Sequence, residues 1–212
     1  MSSNTTVLLV RHGLTDWNAT RRAQGHADIE LNDAGRRQAD EAAARLAGLR
    51  LAAVYSSDLR RALDTARPIA ERHGLEVVAD VAWREIDQGE WEGLATEEIG
   101  RRWPGLWGAA RHSSRRPGGE SPEEVTTRAL AALRRIVERH PGEVVAVVSH
   151  GGTIRWVVAA ARGYGVAGSA RIRGLVNGGV VAVEAAIEDG AMVFGPVRRL
   201  DGAAPDLDDP NQ

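Results

Sequence analysis

The chain has 212 residues, 43% of them hydrophobic and 26% charged, with a formal net charge of -2 and no cysteine. That length and composition support a packed core of one or two compact units and argue against a disordered chain. The near-neutral balance lacks the basic excess of non-specific nucleic-acid binders, so no nucleic-acid partner is expected. Without cysteine there is no disulfide framework, thiolate nucleophile or thiolate zinc site.

Residues 1–6 carry no positive segment, and the apolar run that follows stops at Arg11, too short for a signal peptide. Other apolar runs, 144–148 and 156–161, fall far below the roughly 18 residues a membrane helix needs. The expectation is a cytoplasmic protein with no membrane partner.

Val7-Leu8-Leu9-Val10 reads as a strand buried on both faces, the kind found in parallel sheets. Asn32 is a helix N-cap, followed by Ala39, Ala42, Ala43, Leu46 and Leu49 at helical spacing. Residues 51–55 form a second strand, 59–73 a helix stopped by Gly74, and Val77-Val78 a weak third strand. The stretch 81–119 is irregular and reads as an insertion with a short helix near 96–103; its Trp83, Trp91, Trp103 and Trp107 call for burial as core or pocket wall. Ser121 as N-cap, Pro122 at the first helical position and Glu123-Glu124 in the first turn start a helix that runs to about His140. Residues 144–148 make the clearest central strand and 151–162 the helix after it. Strands at 175–187 and 192–200 are joined at Asp189-Gly190, and the Asp- and Pro-rich tail from Asp201 is expected to be disordered. The fold class is therefore α/β: a three-layer α/β/α sandwich with a mostly parallel central sheet, in a single domain over 1–200.

Three polar clusters follow strands: Arg11-His12-Gly13, 56–61 with Arg60-Arg61, and Ser149-His150-Gly151-Gly152. Ligands of open α/β sheets bind at the carboxyl ends of strands, so these clusters should meet. Two imidazoles and at least two guanidiniums in one pocket call for an anion, and planar Arg forks match phosphate oxygens. The helix opening after His150 adds backbone N–H groups to that cradle. His73 and His140 sit at helix ends, where a cation suits the dipole. Arg111-His112-Ser113-Ser114-Arg115-Arg116 reads as a solvated loop in preference to a substrate lid.

Leu9 to Asn18, reading Leu-Val-Arg-His-Gly-Leu-Thr-Asp-Trp-Asn, resembles the signature of the histidine phosphatase superfamily, the phosphoglycerate-mutase-like fold. Further matches follow in the family's order: Gln24-Gly25-His26-Ala27-Asp28 with Leu31 and Gly35; Arg61-Ala62 and Thr65-Ala66; Trp83-Arg84-Glu85-Ile86 with Gly89, Trp91, Glu92 and Gly93; Gly118-Gly119-Glu120-Ser121; and Ser149-His150-Gly151-Gly152. The resemblance implies that His12 is the nucleophile, that Arg11, Arg61 and a charged His150 clamp the phosphoryl group, and that Glu85 is the proton donor. It also implies that Asn18 and the backbones of Gly25 and Gly151 assist phosphate binding, with no metal and no cofactor. The activity so implied is a phosphomonoesterase of the histidine acid type acting on a small phosphorylated metabolite through a phosphohistidine. The alternatives are a cofactor-dependent phosphoglycerate mutase and a catalytically silent phospho-ligand binding module; a homodimer is left open. Two positions depart from the family pattern: Leu14, where Glu or Gln is usual, and Glu30, where Pro is common.

Overall fold

The computed structural model describes residues 3–200; the tail from Asp201 lies outside the described residues. A six-stranded sheet runs in the order β3-β2-β4-β1-β5-β6. Its strands are β1 (Thr5–Arg11), β2 (Leu51–Ser56), β3 (Val77–Ala79), β4 (Val144–Ser149), β5 (Val180–Glu188) and β6 (Ala191–Arg199). The first four are mutually parallel, while β5 runs antiparallel to β1 and β6 antiparallel to β5. β1 and β4 are central, which is why both read as unbroken apolar runs: they are covered on both faces.

Successive residues of a strand point to opposite faces. Val7, Leu9, Val145 and Val147 pack against α5 (Pro122–Arg139) and α6 (Gly151–Ala161), through residues such as Leu133 and Val157. Leu8, Val10, Ala146 and Val148 pack on the other side against α2 (Asp33–Leu46) and α3 (Arg60–Arg72). The result is the expected three-layer sandwich. Leu8, Leu9 and Leu133 are at most 1% exposed; cutting one such side chain back to Ala costs about 2–5 kcal/mol.

The local signals act as their chemistry dictates. Ser121 Oγ accepts from the Glu124 amide and the Glu124 carboxylate accepts from the Ser121 amide, so the two close a capping box at the start of α5. Asn32 caps α2 through the Gly35 amide. Asp189 and Gly190 both lie in the left-handed region, at φ 49 and 77, and turn the β5–β6 hairpin. Two elements depart from expectation. A one-turn helix, α1 (Asp16–Ala19), follows β1, closed by its own capping box between Thr15 and Asn18. β5 begins at Val180 rather than at 175, because 175–179 turns back to the end of β1: the Gly178 amide donates to the Arg11 carbonyl at 3.0 Å. The short helix of the 81–119 stretch is α4 (Thr96–Arg102).

Candidate active site

The sheet register builds the centre of the site. Arg11 on β1 pairs with Ser149 on β4, so the residues that follow, His12 and His150, leave the sheet side by side with ring centroids 5.1 Å apart. The chain after β1 passes to α2 on one face and the chain after β4 to α6 on the other, which opens a crevice between them. β2 lies on the far side of β4, and the first turn of α3 delivers Arg61 beneath the two imidazoles, fully buried.

Hydrogen bonds fix both tautomers. His12 Nδ1 lies 2.7 Å from the Gly13 carbonyl and must donate to it, which leaves Nε2 with a free lone pair. Arg61 Nε donates to His150 Nδ1 at 3.3 Å, so the His150 proton sits on Nε2. Both imidazoles are held well below the usual histidine range: burial is the main cause, followed by the charge of Arg61. His150 therefore presents a neutral Nε2–H donor to the pocket. Arg61 also donates to the Ala27 and Gly25 carbonyls at 2.7 and 2.8 Å, and burial lowers it to about 10, Glu85 opposing. Among the described residues two buried donors here lack any partner, Arg11 Nε and His150 Nε2. Buried unpaired donors are costly, and two in one place mark the seat of an anion.

Arg11, His12, Asn18, Gly25, Arg61, Glu85 and Gly151 line one cavity of about 160 Å³, and His150 is buried in ring contact with His12. Every site residue expected from the sequence is thus brought together. Asn18 Oδ1 accepts from Thr15 and from Asn177 Nδ2, which leaves its own Nδ2 as the donor available to the pocket. Leu14 lines neither this cavity nor the larger one beside it, and its amide is held by Gln38 Oε1 at 2.8 Å. Glu30 is at the surface, 3.5 Å from Arg60.

Glu85 is placed by the start of α6. Its oxygens accept from the Gly152 amide at 3.0 Å and the Thr153 amide at 3.2 Å, which caps a helix that has no side-chain cap of its own. A Cβ on Gly152 would come within 2.5 Å of Glu85 Oε1, so only glycine lets the carboxylate this close. From behind, Arg128 donates to the Arg84 and Glu85 carbonyls and forms a forked ion pair with Glu120, whose Oε2 also accepts from the Asp87 amide at 2.9 Å. The Gly-Glu-Ser segment therefore acts on the site through the backbone of 84–87.

Three contributors were given no site role by the sequence reading. Asn177 Nδ2 donates to the His12 carbonyl at 3.0 Å and ties the 175–179 turn to the nucleophile loop; the only sequence signal was its place before Gly178-Gly179. Thr65 Oγ1 accepts from the Gly13 amide at 3.0 Å and steadies the same loop. The third is the arginine-rich segment read as a solvated loop, which is a correction: Arg116 is 5% exposed and lies over Trp91. Arg111, His112 and Arg116 line a second cavity of about 390 Å³ that shares Arg11, Glu85 and Gly151 with the first.

Fold and site together define an α/β phosphate-binding protein with a histidine pair at its centre. The chain belongs to the histidine phosphatase superfamily (branch 1), whose pattern it matches over residues 7–194. It is 45% identical over 164 residues to phosphoglycerate mutase-like protein 4 of Arabidopsis thaliana, covering 74% of this chain and 70% of that one. To the metal-independent phosphoserine phosphatase of the same plant it is 41% identical over 160 residues, covering 73% and 67%. The structure of a mycobacterial glucosyl-3-phosphoglycerate phosphatase with VO3 superposes with a TM-score of 0.84 at 32% identity, over 93% of this chain and 99% of that one. No helix among the described residues is long and apolar enough to cross a membrane.

Proposed function

We propose that the protein is a metal-independent phosphomonoesterase that hydrolyses a small phosphorylated metabolite of the cytoplasm. His12 Nε2 attacks phosphorus, the bond to the alcohol oxygen breaks, and a Glu85 carboxyl proton passes to the departing alkoxide. Water then attacks the phosphohistidine, Glu85 takes its proton, and the phosphorus–nitrogen bond breaks to release inorganic phosphate. Arg11, Arg61 and the His150 Nε2–H stabilise the charge on the equatorial oxygens, work done by metal ions in many other phosphoryl-transfer enzymes, and Asn18, Gly25 and Gly151 complete the cradle. The observation that carries this reading is the His12 tautomer: a neutral imidazole pinned through Nδ1 with Nε2 free is ready to attack without first losing a proton. The relatives named as phosphatases support hydrolysis over mutase chemistry.

Rapid alkaline quenching followed by mass spectrometry is expected to place the phosphoryl group on His12, with turnover undiminished by EDTA. His12→Ala should lower turnover by about 10⁴-fold or more, the scale of losing a nucleophile. Near-normal turnover in that variant, or a phosphoryl group on His150, would reject the assignment.

A further inference from the structure

We propose, on the phosphatase reading of the smaller cavity, that Glu92 is a positioning residue: through the backbone of residues 25–27 it aims the Arg61 guanidinium at the phosphoryl group. Glu92 is exposed, yet its carboxylate is turned onto the chain. One oxygen, Oε2, accepts from the His26 and Ala27 amides, both at 2.9 Å. A charged acceptor makes such bonds short and roughly twice as strong as neutral ones. The Ala27 amide also reaches the Gln24 carbonyl at 3.0 Å, which closes the loop on itself. Gly25 bends the loop at φ 53, and a Cβ there would come within 2.8 Å of Glu92 Oε2.

The other side of the same loop meets Arg61. The Ala27 and Gly25 carbonyls accept from Nη1 and Nη2, while Nε donates to His150. One N–H of each terminal nitrogen is then left for the cavity that Arg61 lines. Because the fork is planar and rigid, the two carbonyls decide where those remaining donors point. Burial lowers Arg61 to about 10, and Glu92 opposes this less than Glu85 and Asp28 do, so Arg61 stays a cation near neutral pH. What Glu92 supplies is therefore direction rather than protonation.

The loop also touches the proton donor, since His26 Nε2 donates to the Glu85 carbonyl at 3.0 Å. Glu85 has supports of its own, however: Arg128 holds the same carbonyl at 3.0 Å, and the Gly152 and Thr153 amides hold the carboxylate. Apart from the two loop carbonyls, the Arg61 side chain has only the longer bond to His150, at 3.3 Å. Loosening the loop thus falls on the phosphoryl clamp and spares proton transfer.

The test pairs vanadate, which adopts the five-coordinate geometry of the transferring phosphoryl group, with two esters of different leaving group. Glu92→Ala should weaken vanadate binding by about 10- to 100-fold, the scale of a small misplacement of a reacting group. Single-turnover phosphorylation by nitrophenyl phosphate and by glycerol phosphate should slow by one shared factor of that size, because Arg61 acts on the half both esters have in common. Loss of a proton donor would instead spare nitrophenyl phosphate, and a merely structural role would lower the folded fraction without changing the vanadate affinity of the folded sites. Glu92→Gln, whose amide oxygen can take both N–H groups, should stay within about 3-fold of wild type. Glu92→Asp keeps the charge, stops short of the amides and should resemble the Ala variant; should Glu92→Ala fail to fold, this order of Gln above Asp decides. Unchanged vanadate affinity in Glu92→Ala, a larger loss with glycerol phosphate than with nitrophenyl phosphate, or Asp equal to or better than Gln overturns the inference. If the wild-type protein hydrolyses neither ester, the phosphatase reading fails, and the vanadate affinities still decide whether Glu92 aims Arg61.

Discussion

His12 and His150 stand at the ends of β1 and β4, where the pairing of Arg11 with Ser149 leaves little freedom in their spacing. Arg111 and Arg116, by contrast, stand on irregular chain whose order comes from rings: Trp91 packs against Trp103 and Trp107, and guanidiniums lie over all three. The floor of the site is thus set by backbone hydrogen bonds between the central strands of the sheet, the wall by side-chain contacts that a few substitutions would rearrange. Chemistry held to within fractions of an ångström belongs on the first kind of support, and a surface that reads the variable half of a substrate belongs on the second.

Glu85 sits where the two regions meet, so its replacement gives the largest test of their division of labour. Glu85→Gln turns an amide NH2 toward the N–H groups of Gly152 and Thr153, so part of any loss is structural. Comparing leaving groups removes that part. A nitrophenolate departs without a proton and an alkoxide needs one, and positioned proton transfer is worth about 10²- to 10⁴-fold. Single-turnover phosphorylation by alkyl phosphates should therefore slow by that much more than phosphorylation by nitrophenyl phosphate. Equal slowing would move the proton donor elsewhere, with Asp87, Glu90 and Glu92 the nearest carboxylates in sequence.

The same division explains how much the sequence could tell. The runs 7–10 and 144–148, the Ser121-Pro122 start and the Asp189-Gly190 turn are local signals of period or capping, and the structure bears them out. Because ligand crevices follow from strand ends, Arg11, His12, Arg61 and His150 could be brought together before any contact was known. Glu85, Asn18 and Gly25 were legible only through the family resemblance. Arg116 was misread because its burial depends on Trp91, 25 positions earlier in the chain; no local pattern carries such a contact. Asn177 was absorbed into a strand for the same reason, since its partners are the His12 carbonyl and Asn18 Oδ1.

The Glu120–Arg128 pair tests how rigid the floor must be. It touches no substrate-lining atom of its own and acts through the carbonyls of Arg84 and Glu85 that Arg128 holds at 2.8 and 3.0 Å. Small misplacements of a reacting group can cost as much as 10²-fold. Glu120→Ala should lower kcat for alkyl phosphates by about 10- to 100-fold with little change in KM. In a Glu85→Gln background the same substitution should add little, because residues acting as one unit are not additive. A full additional loss in the double variant would show that Glu120 merely supports the fold.

The effect of one histidine on stability against pH separates floor from wall. His12, His150 and His112 are all lowered in the folded protein, the first two well below 6.5 and His112 to about 4, in each case chiefly by burial. Unfolded histidines titrate near 6.5, so as pH falls below that value the unfolded chain takes up protons the folded chain refuses, and stability is lost. The contribution is complete above pH 6.5 and declines as pH falls toward the folded values. Two carboxylates near the site act only at lower pH: Arg84 holds Asp58 down, and Glu120, which burial alone would raise, is pulled lower by Arg128. Urea unfolding between pH 7.5 and 5, in buffers free of phosphate, should therefore show little slope above pH 6.5 and a slope approaching about 1.4 kcal/mol per pH unit for each of these histidines toward pH 5. His112→Gln should remove one proton's worth of that slope. Added phosphate should flatten it further, because an anion beside His150 favours its protonated form in the folded state, and His112→Gln should leave this phosphate effect in place. A slope unchanged by phosphate would mean that the anion does not bind beside His150, which removes the basis for a clamp on the floor.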